Sequence, residues 1–269
     1  MEGPKLLRCA LGSELVVSDV FVAAGARERA GIAEILERSA AAGAHVLDLR
    51  PGVIERISDT VTPQQVLAIV RRPHQGEMPL GEILTGAPSV LVAAGVKDPG
   101  NLGALVRAAD ASGAGAVFVC DGSVDPFNPK VVRSSAGSVI NVPVVSGGDS
   151  VEALRLLGAS GFARLGAVVR GGTAYSDLDL AGKVAFVFGN ESTGLSRETA
   201  AALDGSVTIP MRGKAESLNV AMAAAVLCFE ALRQRSTLRG TPRTGPGHVS
   251  RSRSAVAPGP ATRTQETSK

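Results

Sequence analysis

The chain has 269 residues, of which 28 are Lys or Arg and 25 are Asp or Glu, so its formal charge at pH 7 is +3. Hydrophobic residues make up 45% and charged residues 20%. This composition is typical of a globular chain and excludes a wholly disordered, collagen-like or disulfide-scaffold protein. Aromatic residues make up only 3%, with no Trp, which disfavours a nucleic-acid surface built on stacked aromatic side chains.

In the first third of the chain, short Val-rich runs alternate with amphipathic segments, a pattern typical of strands and helices. It predicts strands over residues 16–22 and 44–49, a helix over 26–42 and a further helix from about Thr62. Residues 71–76 (RRPHQG) have the composition of a linker and mark a domain boundary. The abrupt opening, Glu2-Gly3-Pro4 followed directly by an apolar helix, predicts a first domain truncated at its start, or a misassigned start codon.

The rest of the chain predicts a larger α/β domain with a mostly parallel sheet. Strands are expected over residues 89–96, 116–120, 142–145, 165–169, 184–188 and 207–209. Helices are expected over 101–112, 129–138, 150–158 and 197–203, and from 218 to about 235. The core face of the last helix would include Val220, Ala224, Leu227 and Ala231.

Charge is concentrated at the C-terminus. From Arg233 to Lys269 there are eight basic residues and one acid, a local charge of +7, which leaves −4 for the remainder. Residues after Leu238 are mostly Pro, Gly, Ser, Thr and Arg, which predicts a disordered basic tail. Such a tail is either a weak, salt-sensitive arm for nucleic acid or a solvated terminus without an essential role.

Cysteine and histidine usage excludes several classes of site. Cys9, Cys120 and Cys228 are far apart in apolar contexts, which predicts core residues of a protein in a reducing compartment, by default the cytoplasm. The three histidines lack metal-ligand spacing, so we expect neither a metal site nor a Ser-His-Asp hydrolase. No apolar run is long enough to span a membrane, and we expect no membrane association.

The turn after the strand predicted over 89–96 is the place where a dinucleotide-binding fold carries its glycine fingerprint. It reads Gly95-Val96-Lys97-Asp98-Pro99-Gly100-Asn101, which is not G-x-G-x-x-G. The glycines that let a pyrophosphate approach the backbone are therefore missing. This disfavours a nicotinamide-dependent oxidoreductase.

Three segments concentrate polar residues where such a sheet exposes its strand ends. In residues 101–109, Asn101 and Arg107 are six apart, near two helical turns, and we expect both to face one cleft. The second segment, 188–196 (FGNESTGLS), is a strand end entering a Gly-rich turn, and the third, 209–220 (IPMRGKAESLNV), leads from a strand into the last helix. Taken singly, Asn101 and Ser217 are equally well explained as helix caps, Arg107 and Glu191 as solvated charges, and Gly189 as a turn glycine.

Together, in this order, the three segments resemble the three motifs of the SpoU (TrmH-like) RNA 2′-O-ribose methyltransferases of the SPOUT superfamily. The resemblance spans about residues 89–235, and the third motif is the most specific. It implies an α/β sheet with a C-terminal trefoil knot, preceded by a small α/β RNA-binding domain. The expected organisation is an RNA-binding domain over 1–75, a linker over 76–88, the methyltransferase domain over 89–236 and the basic tail over 237–269.

The resemblance also implies the chemistry of the site. The expected cofactor is S-adenosylmethionine, held by Gly189, Ile209, Met211, Ser217 and Leu218. The active-site polar residues would be Asn101, Arg107, Glu191, Ser217 and Asn219, with Arg107 the most important. The reaction would transfer the sulfonium methyl in line to a ribose 2′-hydroxyl of rRNA or tRNA. Arg107 would act either as the general base or as a phosphate clamp that positions the ribose.

Partners follow from the same resemblance. Residues expected to contact RNA are Lys130, Arg133, Ser135, Arg71 and Arg72, although residues 129–137 are also explained as a helix with a basic solvent face. A homodimer through the knotted domain is implied, with Met222, Val226 and Phe229 adding apolar surface to the last helix. The alternative function is a non-catalytic RNA-binding or assembly protein that retains the fold. The complete polar set argues against that alternative.

Overall fold

The computed structural model describes residues 1–58, 60–71 and 80–238, which form two sheets with their helices. Arg72, the first residues of the expected linker (76–79) and residues 239–269 of the expected tail lie outside the described residues. The first sheet has three strands and the second has seven. In the described ranges, no helix combines the length and the apolarity needed to cross a membrane.

The first sheet has the strand order β2-β1-β3. Its elements in chain order are α1 (Pro4–Leu11), β1 (Val17–Val22), α2 (Ala33–Ala41), β2 (His45–Asp48), α3 (Val53–Ile57) and β3 (Val66–Val70). β1 pairs with β2 in parallel and with β3 antiparallel. One face of the sheet packs on α1 and α2 through a core that includes Leu7, Val20, Ile35 and Leu36.

Two predictions for this part were wrong. The helix predicted from Thr62 is instead the strand β3, whose sequence VLAIV is apolar and β-branched and completes the sheet beside β1. The helix predicted over 26–42 begins only at Ala33. Gly31 has a φ of 76°, outside the right-handed helical region, so the preceding residues form turns.

The second sheet is parallel in all its pairings and has the order β6-β5-β4-β9-β7-β10-β8. Its strands are β4 (Ser89–Ala93), β5 (Ala116–Val119), β6 (Val144–Ser146), β7 (Ala163–Ala167), β8 (Thr173–Ala174), β9 (Val184–Phe188) and β10 (Gly205–Thr208). Its helices are α4 (Leu80–Gly86), α5 (Pro99–Ser112), α6 (Pro129–Ser134), α7 (Ser138–Asn141), α8 (Ser150–Ala159), α9 (Arg197–Ala201) and α10 (Val220–Leu238). This is the α/β domain with a mostly parallel sheet that the sequence predicted.

Helices cover both faces of the second sheet, which explains why its central strands are apolar throughout. On one face α5, α6 and α10 pack over Leu91, Val117 and Phe186. On the other face α4 and α8 pack over Val92 and Phe118. Of the core positions predicted for α10, Ala224, Leu227 and Ala231 are buried and Val220 is partly buried.

The structure differs from the sequence expectations at two helices of this domain. Residues 80–86, expected in a linker, form α4, and its Leu84 is buried against the sheet. The helix predicted over 129–138 divides into α6 and α7, because Ala136 (φ 54°) and Gly137 (φ 105°) adopt left-handed backbone conformations.

The two cysteines predicted to be core residues of this domain, Cys120 and Cys228, are buried. Burial raises the pKa of the Cys120 thiol to about 11 and that of Cys228 to about 12. Both side chains therefore remain protonated thiols at neutral pH. Cys9 is half-buried.

The first sheet and its helices dock on the second domain at the break between α6 and α7. Leu6 of α1 belongs to the core that α5 and α10 share. A side chain at Gly137 would lie 2.9 Å from Cys9 Sγ, so the glycine permits the close approach of α1. The Glu2 carboxylate, which also accepts hydrogen bonds from Ser58 and Thr60, lies 4.0 Å from Arg133 Nη1 of α6.

The contact between α5 and α6 depends on a second glycine, and we expect its replacement to destabilise the domain. A methyl group at Gly103 would overlap Ser134 Oγ and lie 2.7 Å from the Val131 carbonyl oxygen. Gly103→Ala should therefore lower the free energy of unfolding in urea by about 1–3 kcal/mol. Gly81→Ala is the matched control, because a methyl group on that helical glycine meets no atom within 4 Å. Equal stabilities of the two variants would contradict this account of the contact.

Candidate active site

The loops that follow β4, β7, β9 and β10 converge on one cavity of about 570 Å³. Because all four strands are parallel, their carboxyl ends meet at one edge of the sheet, the usual place for ligands in such folds. The cavity is lined by Asn101, residues 167–169, residues 188–195, Val207, Ile209, Met211, residues 216–220, Ala223 and Leu227.

A chain of hydrogen bonds joins three of the polar residues predicted for the site. Asn101 Nδ2 donates to Glu191 Oε1 at 2.9 Å, and Asn219 Nδ2 donates to Asn101 Oδ1 at 2.6 Å. Asn219 Oδ1 in turn accepts from the backbone N–H of Ala221 at 2.8 Å, which places Asn219 as a cap at the start of α10. The network thus ties the first turns of α5 and α10 to the loop after β9, and the orientation of both amides follows from their partners.

The Glu191 carboxylate is held by further donors. The backbone N–H groups of Lys97 and Asp98 donate to its two oxygens at 3.3 and 3.2 Å. Partial burial is the largest single influence and raises the pKa of this carboxyl. The hydrogen bonds from Asn101 and from backbone N–H groups together outweigh it, so the pKa of Glu191 lies below its ordinary value. Glu191 is therefore ionised at neutral pH and places a fixed negative charge at the cavity.

The loop after β9 is closed by Gly189 and Asn190. A side chain at Gly189 would lie 2.5 Å from the Gly194 carbonyl oxygen and from the Leu195 nitrogen, so glycine is required there. Asn190 Oδ1 accepts hydrogen bonds from the backbone N–H groups of Ser192 and Thr193, and Asn190 Nδ2 donates to the Gly95 carbonyl oxygen. Asn190 was not predicted as a site residue. Its position, directly after a strand-ending glycine where Asn favours local turns, is the signal that identifies it.

The apolar part of the wall contains the residues predicted to hold a cofactor. Ile209, Met211 and Leu218 line the cavity, together with Gly189 and Ser217. Val168 and Val169, which follow β7, also line it and were not predicted. Their side chains gave no polar or motif signal that distinguishes them from core residues of a buried strand.

Arg107 does not line this cavity. It is exposed on α5 and has no hydrogen-bond or ion-pair partner among the described residues. Six helical residues correspond to a net rotation of about 240°, so Arg107 points about 120° away from Asn101. The expectation that both side chains face one cleft was therefore wrong for a single copy of the chain.

The residues predicted to contact RNA lie in different environments. Lys130 and Arg71 are exposed, and Arg133 faces Glu2 at 4.0 Å. Ser135 is 0% exposed, and its hydroxyl donates to the Val132 carbonyl oxygen at 2.9 Å. A buried hydroxyl with an internal partner does not reach a surface ligand. Ser135 therefore stabilises the fold locally and does not make the expected contact with RNA. Arg72 lies outside the described residues.

The cavity has the size and chemistry for a small cationic cofactor with a flat ring. Its volume lies within the usual range of ligand sites, roughly 300–1,000 Å³. Ile209 and Leu218 provide apolar contact for a ring, and loop backbone groups provide hydrogen-bond partners. Glu191 and Glu216 provide negative charge. These apolar contacts, backbone groups and negative charges fit S-adenosylmethionine, whose sulfonium is positively charged. In the part of the chain that the structure describes, no three His, Cys, Asp or Glu side chains form a group suited to a metal ion.

Comparison with known proteins gives the same family at the level of sequence. Residues 88–229 match the model of the SpoU rRNA Methylase family. The chain is 34% identical over 231 residues to the 23S rRNA (guanosine(2553)-2′-O)-methyltransferase RlmP of Bacillus subtilis. That match covers 85% of this chain and 86% of the relative.

Solved structures give the same family at the level of fold. An AdoMet-bound rRNA methyltransferase from Sinorhizobium meliloti is 29% identical, with a TM-score of 0.75 over 87% of this chain and 86% of the other. The SpoU methyltransferase AviRb from Streptomyces viridochromogenes, in complex with the cofactor AdoMet, is 28% identical, with a TM-score of 0.75 over 88% and 90%. Both structures were determined with the cofactor that the cavity fits.

Proposed function

Because the chain belongs to the SpoU rRNA methylase family, we propose that it transfers a methyl group from S-adenosylmethionine to a ribose 2′-hydroxyl of large-subunit ribosomal RNA. The observation that carries the proposal is the cavity in which Asn101, Glu191 and Asn219 are joined by hydrogen bonds beside an apolar slot. The name of the Bacillus subtilis relative, a 23S rRNA 2′-O-methyltransferase, supports this substrate class over tRNA.

The residues of the cavity bind and orient the two reactants. When bound, S-adenosylmethionine supplies a methyl group activated by its positively charged sulfur. Ile209, Met211 and Leu218, which line the cavity, would hold its flat ring, and Gly189 and Ser217 would offer backbone groups to it. The fixed charge of Glu191 favours a cation in the cavity. Since little activation of the methyl group is needed, alignment of the hydroxyl supplies most of the rate acceleration.

Arg107 is proposed to act on the ribose hydroxyl or its neighbouring phosphate, across a dimer. α5, which carries Arg107, packs along α10. On α10 the side chains of Met222 and Phe229 are 60% and 47% exposed. These residues share one helical face with the half-buried Val226, and an exposed apolar face of this kind marks an interaction surface. Arg107 lies outside the cavity of its own chain. In a homodimer formed through this face, it would act in the cavity of the second copy.

The dimer can be tested by placing a charge on its proposed surface. Phe229→Asp should convert the dimer to a monomer, because a carboxylate in a desolvated apolar contact has no partner. Light scattering coupled to size-exclusion chromatography measures the mass. Leu156→Asp is the matched control, since Leu156 is 42% exposed on α8 at the other face of the sheet. A monomeric wild-type protein, or a dimer that survives Phe229→Asp, would contradict the proposed surface.

The proposal includes a knotted C-terminal region, a cytoplasmic location and an RNA-binding first domain over residues 1–75. The order β9-β7-β10-β8 separates strands that follow one another in the chain, which supports a threaded path for the segment between β10 and α10. The named relative acts on ribosomal RNA, and a substrate of this kind supports a cytoplasmic location. The alternative is an RNA-binding protein that retains the fold without activity. It gives no function to the hydrogen bonds that join Asn101, Glu191 and Asn219.

The substrate is tested with labelled S-adenosylmethionine and RNA that lacks modification. We expect label in 23S rRNA and background label in 16S rRNA and bulk tRNA, counted after separation of the RNAs. Label in tRNA instead would overturn the assignment of large-subunit rRNA. A protein that binds the cofactor but labels no RNA would favour the non-catalytic alternative.

A further inference from the structure

Four exposed cationic residues lie on the loops that form the wall of the cavity, each close in the chain to residues that line it. Lys97 precedes Asp98 in the β4–α5 loop, and its backbone N–H binds Glu191. Arg170 follows the lining residues 167–169, while Arg212 and Lys214 lie between lining residues Met211 and Glu216. All four are exposed, and none of them is among the described residues that line the cavity. We call them the rim cations.

The rim cations have no internal partner, whereas several other cations of the same domain do. Among the described residues, none of the four side chains forms a hydrogen bond or an ion pair. In contrast, Arg164 is paired with Asp204, Arg233 is paired with Glu230, and Lys183 donates to the Leu84 carbonyl. The guanidinium and ammonium groups at the rim therefore keep their donors available for a ligand.

Charge is also separated by sign around the cavity. Glu191 and Glu216 are among the residues that line the cavity, whereas none of the rim cations is. The separation is clearest within the β10–α10 loop, where Glu216 lines the cavity and Arg212 and Lys214 do not. Negative charge inside suits the cationic cofactor. Positive charge on three of the loops that form the wall suits a polyanion that passes over the cavity.

We infer that the rim cations bind phosphates of the RNA strand on either side of the methylated nucleotide, a role that rests on the proposed function. A ribose that enters the cavity carries a phosphate on each side, and both must remain near the mouth. Arg170 and Arg212 lie on different loops and offer the planar donors that pair with phosphate oxygens. None of the rim cations belongs to the set that the sequence predicted to contact RNA. Contacts to phosphate fix position and carry no sequence preference.

The test uses the full-length double variant Arg170→Gln/Arg212→Gln, which removes two charges and preserves side-chain length. We expect weaker binding to the 23S rRNA fragment and a higher KM for it, while the Kd for S-adenosylmethionine stays unchanged. For single-stranded RNA each lost phosphate contact reduces the slope of log K against log salt by ~0.7. Two lost contacts reduce it by ~1.4, so the defect in affinity shrinks about sevenfold when salt rises from about 50 to about 200 mM.

The control is Arg155→Gln, an exposed arginine on α8 that also has no partner among the described residues. It should match the wild type in KM and in salt slope. The inference is overturned if the double variant keeps the wild-type slope, or if its cofactor Kd rises instead. Absence of methyl transfer by the wild-type protein would refute the proposed function. If the wild type is active and the double variant binds RNA as the wild type does, only the role of the rim cations is refuted.

Discussion

Arg107→Ala is expected to lower kcat for methyl transfer by about 10²–10⁴-fold, the usual contribution of a positioned proton acceptor or donor. The Kd for S-adenosylmethionine should not change, because Arg107 is proposed to act on the ribose or its phosphate and not on the cofactor. Stability should also be retained, since the side chain is exposed and has no partner among the described residues. Single-turnover transfer, calorimetric cofactor binding and urea unfolding measure the three quantities.

Arg107→Lys tests whether the reaction needs the shape of the guanidinium group. An ammonium group keeps the charge and loses the planar pair of donors that clamps a phosphate. Activity close to wild type would show that the guanidinium shape is not needed. Activity near that of Arg107→Ala would favour the clamp or a base that requires the guanidinium. An Arg107→Ala protein with wild-type kcat would remove Arg107 from the mechanism.

Gly189→Ala is expected to abolish measurable cofactor binding. The added methyl group would lie 2.5 Å from the Gly194 carbonyl oxygen and the Leu195 nitrogen, both backbone atoms that cannot move without reshaping the loop. That loop carries Glu191 and forms one wall of the cavity. We also expect a loss of about 1–3 kcal/mol in the free energy of unfolding.

Gly213→Ala is the matched control for this effect. Gly213 lies in the β10–α10 loop at the same cavity, and a methyl group there meets no atom within 4 Å. Calorimetric titration with S-adenosylmethionine should show wild-type affinity for Gly213→Ala and none for Gly189→Ala. Equal affinities for the two variants would contradict the account of the loop after β9.

Sequence patterns predicted the second sheet well because its strands are buried on both faces. Continuous runs such as those of β4 and β9 leave little ambiguity when turn residues bound them. β8 has two residues and no such run, so it was missed. The break between α6 and α7 was also missed, because it depends on a left-handed Ala136 that local propensity disfavours.

The first domain shows a different limit. Both the strand β3 and a helix are compatible with a short apolar run, and only pairing with β1 decides between them. At the site, motif residues identified Asn101, Glu191 and Asn219, but not the hydrogen bonds that join them. The different orientation of Arg107 follows from the spacing itself, because six residues of a helix give a net rotation of about 240° and not a whole number of turns.

The central claim is that the methyl group is placed on a ribose 2′-hydroxyl, and alkaline hydrolysis of labelled 23S rRNA tests it most directly. A methylated 2′-oxygen cannot attack the neighbouring phosphate, so the linkage survives alkali. We predict label in alkali-resistant dinucleotides with the wild-type protein and background label with Arg107→Ala. Label released in mononucleotides would show methylation of a base and would contradict the claim.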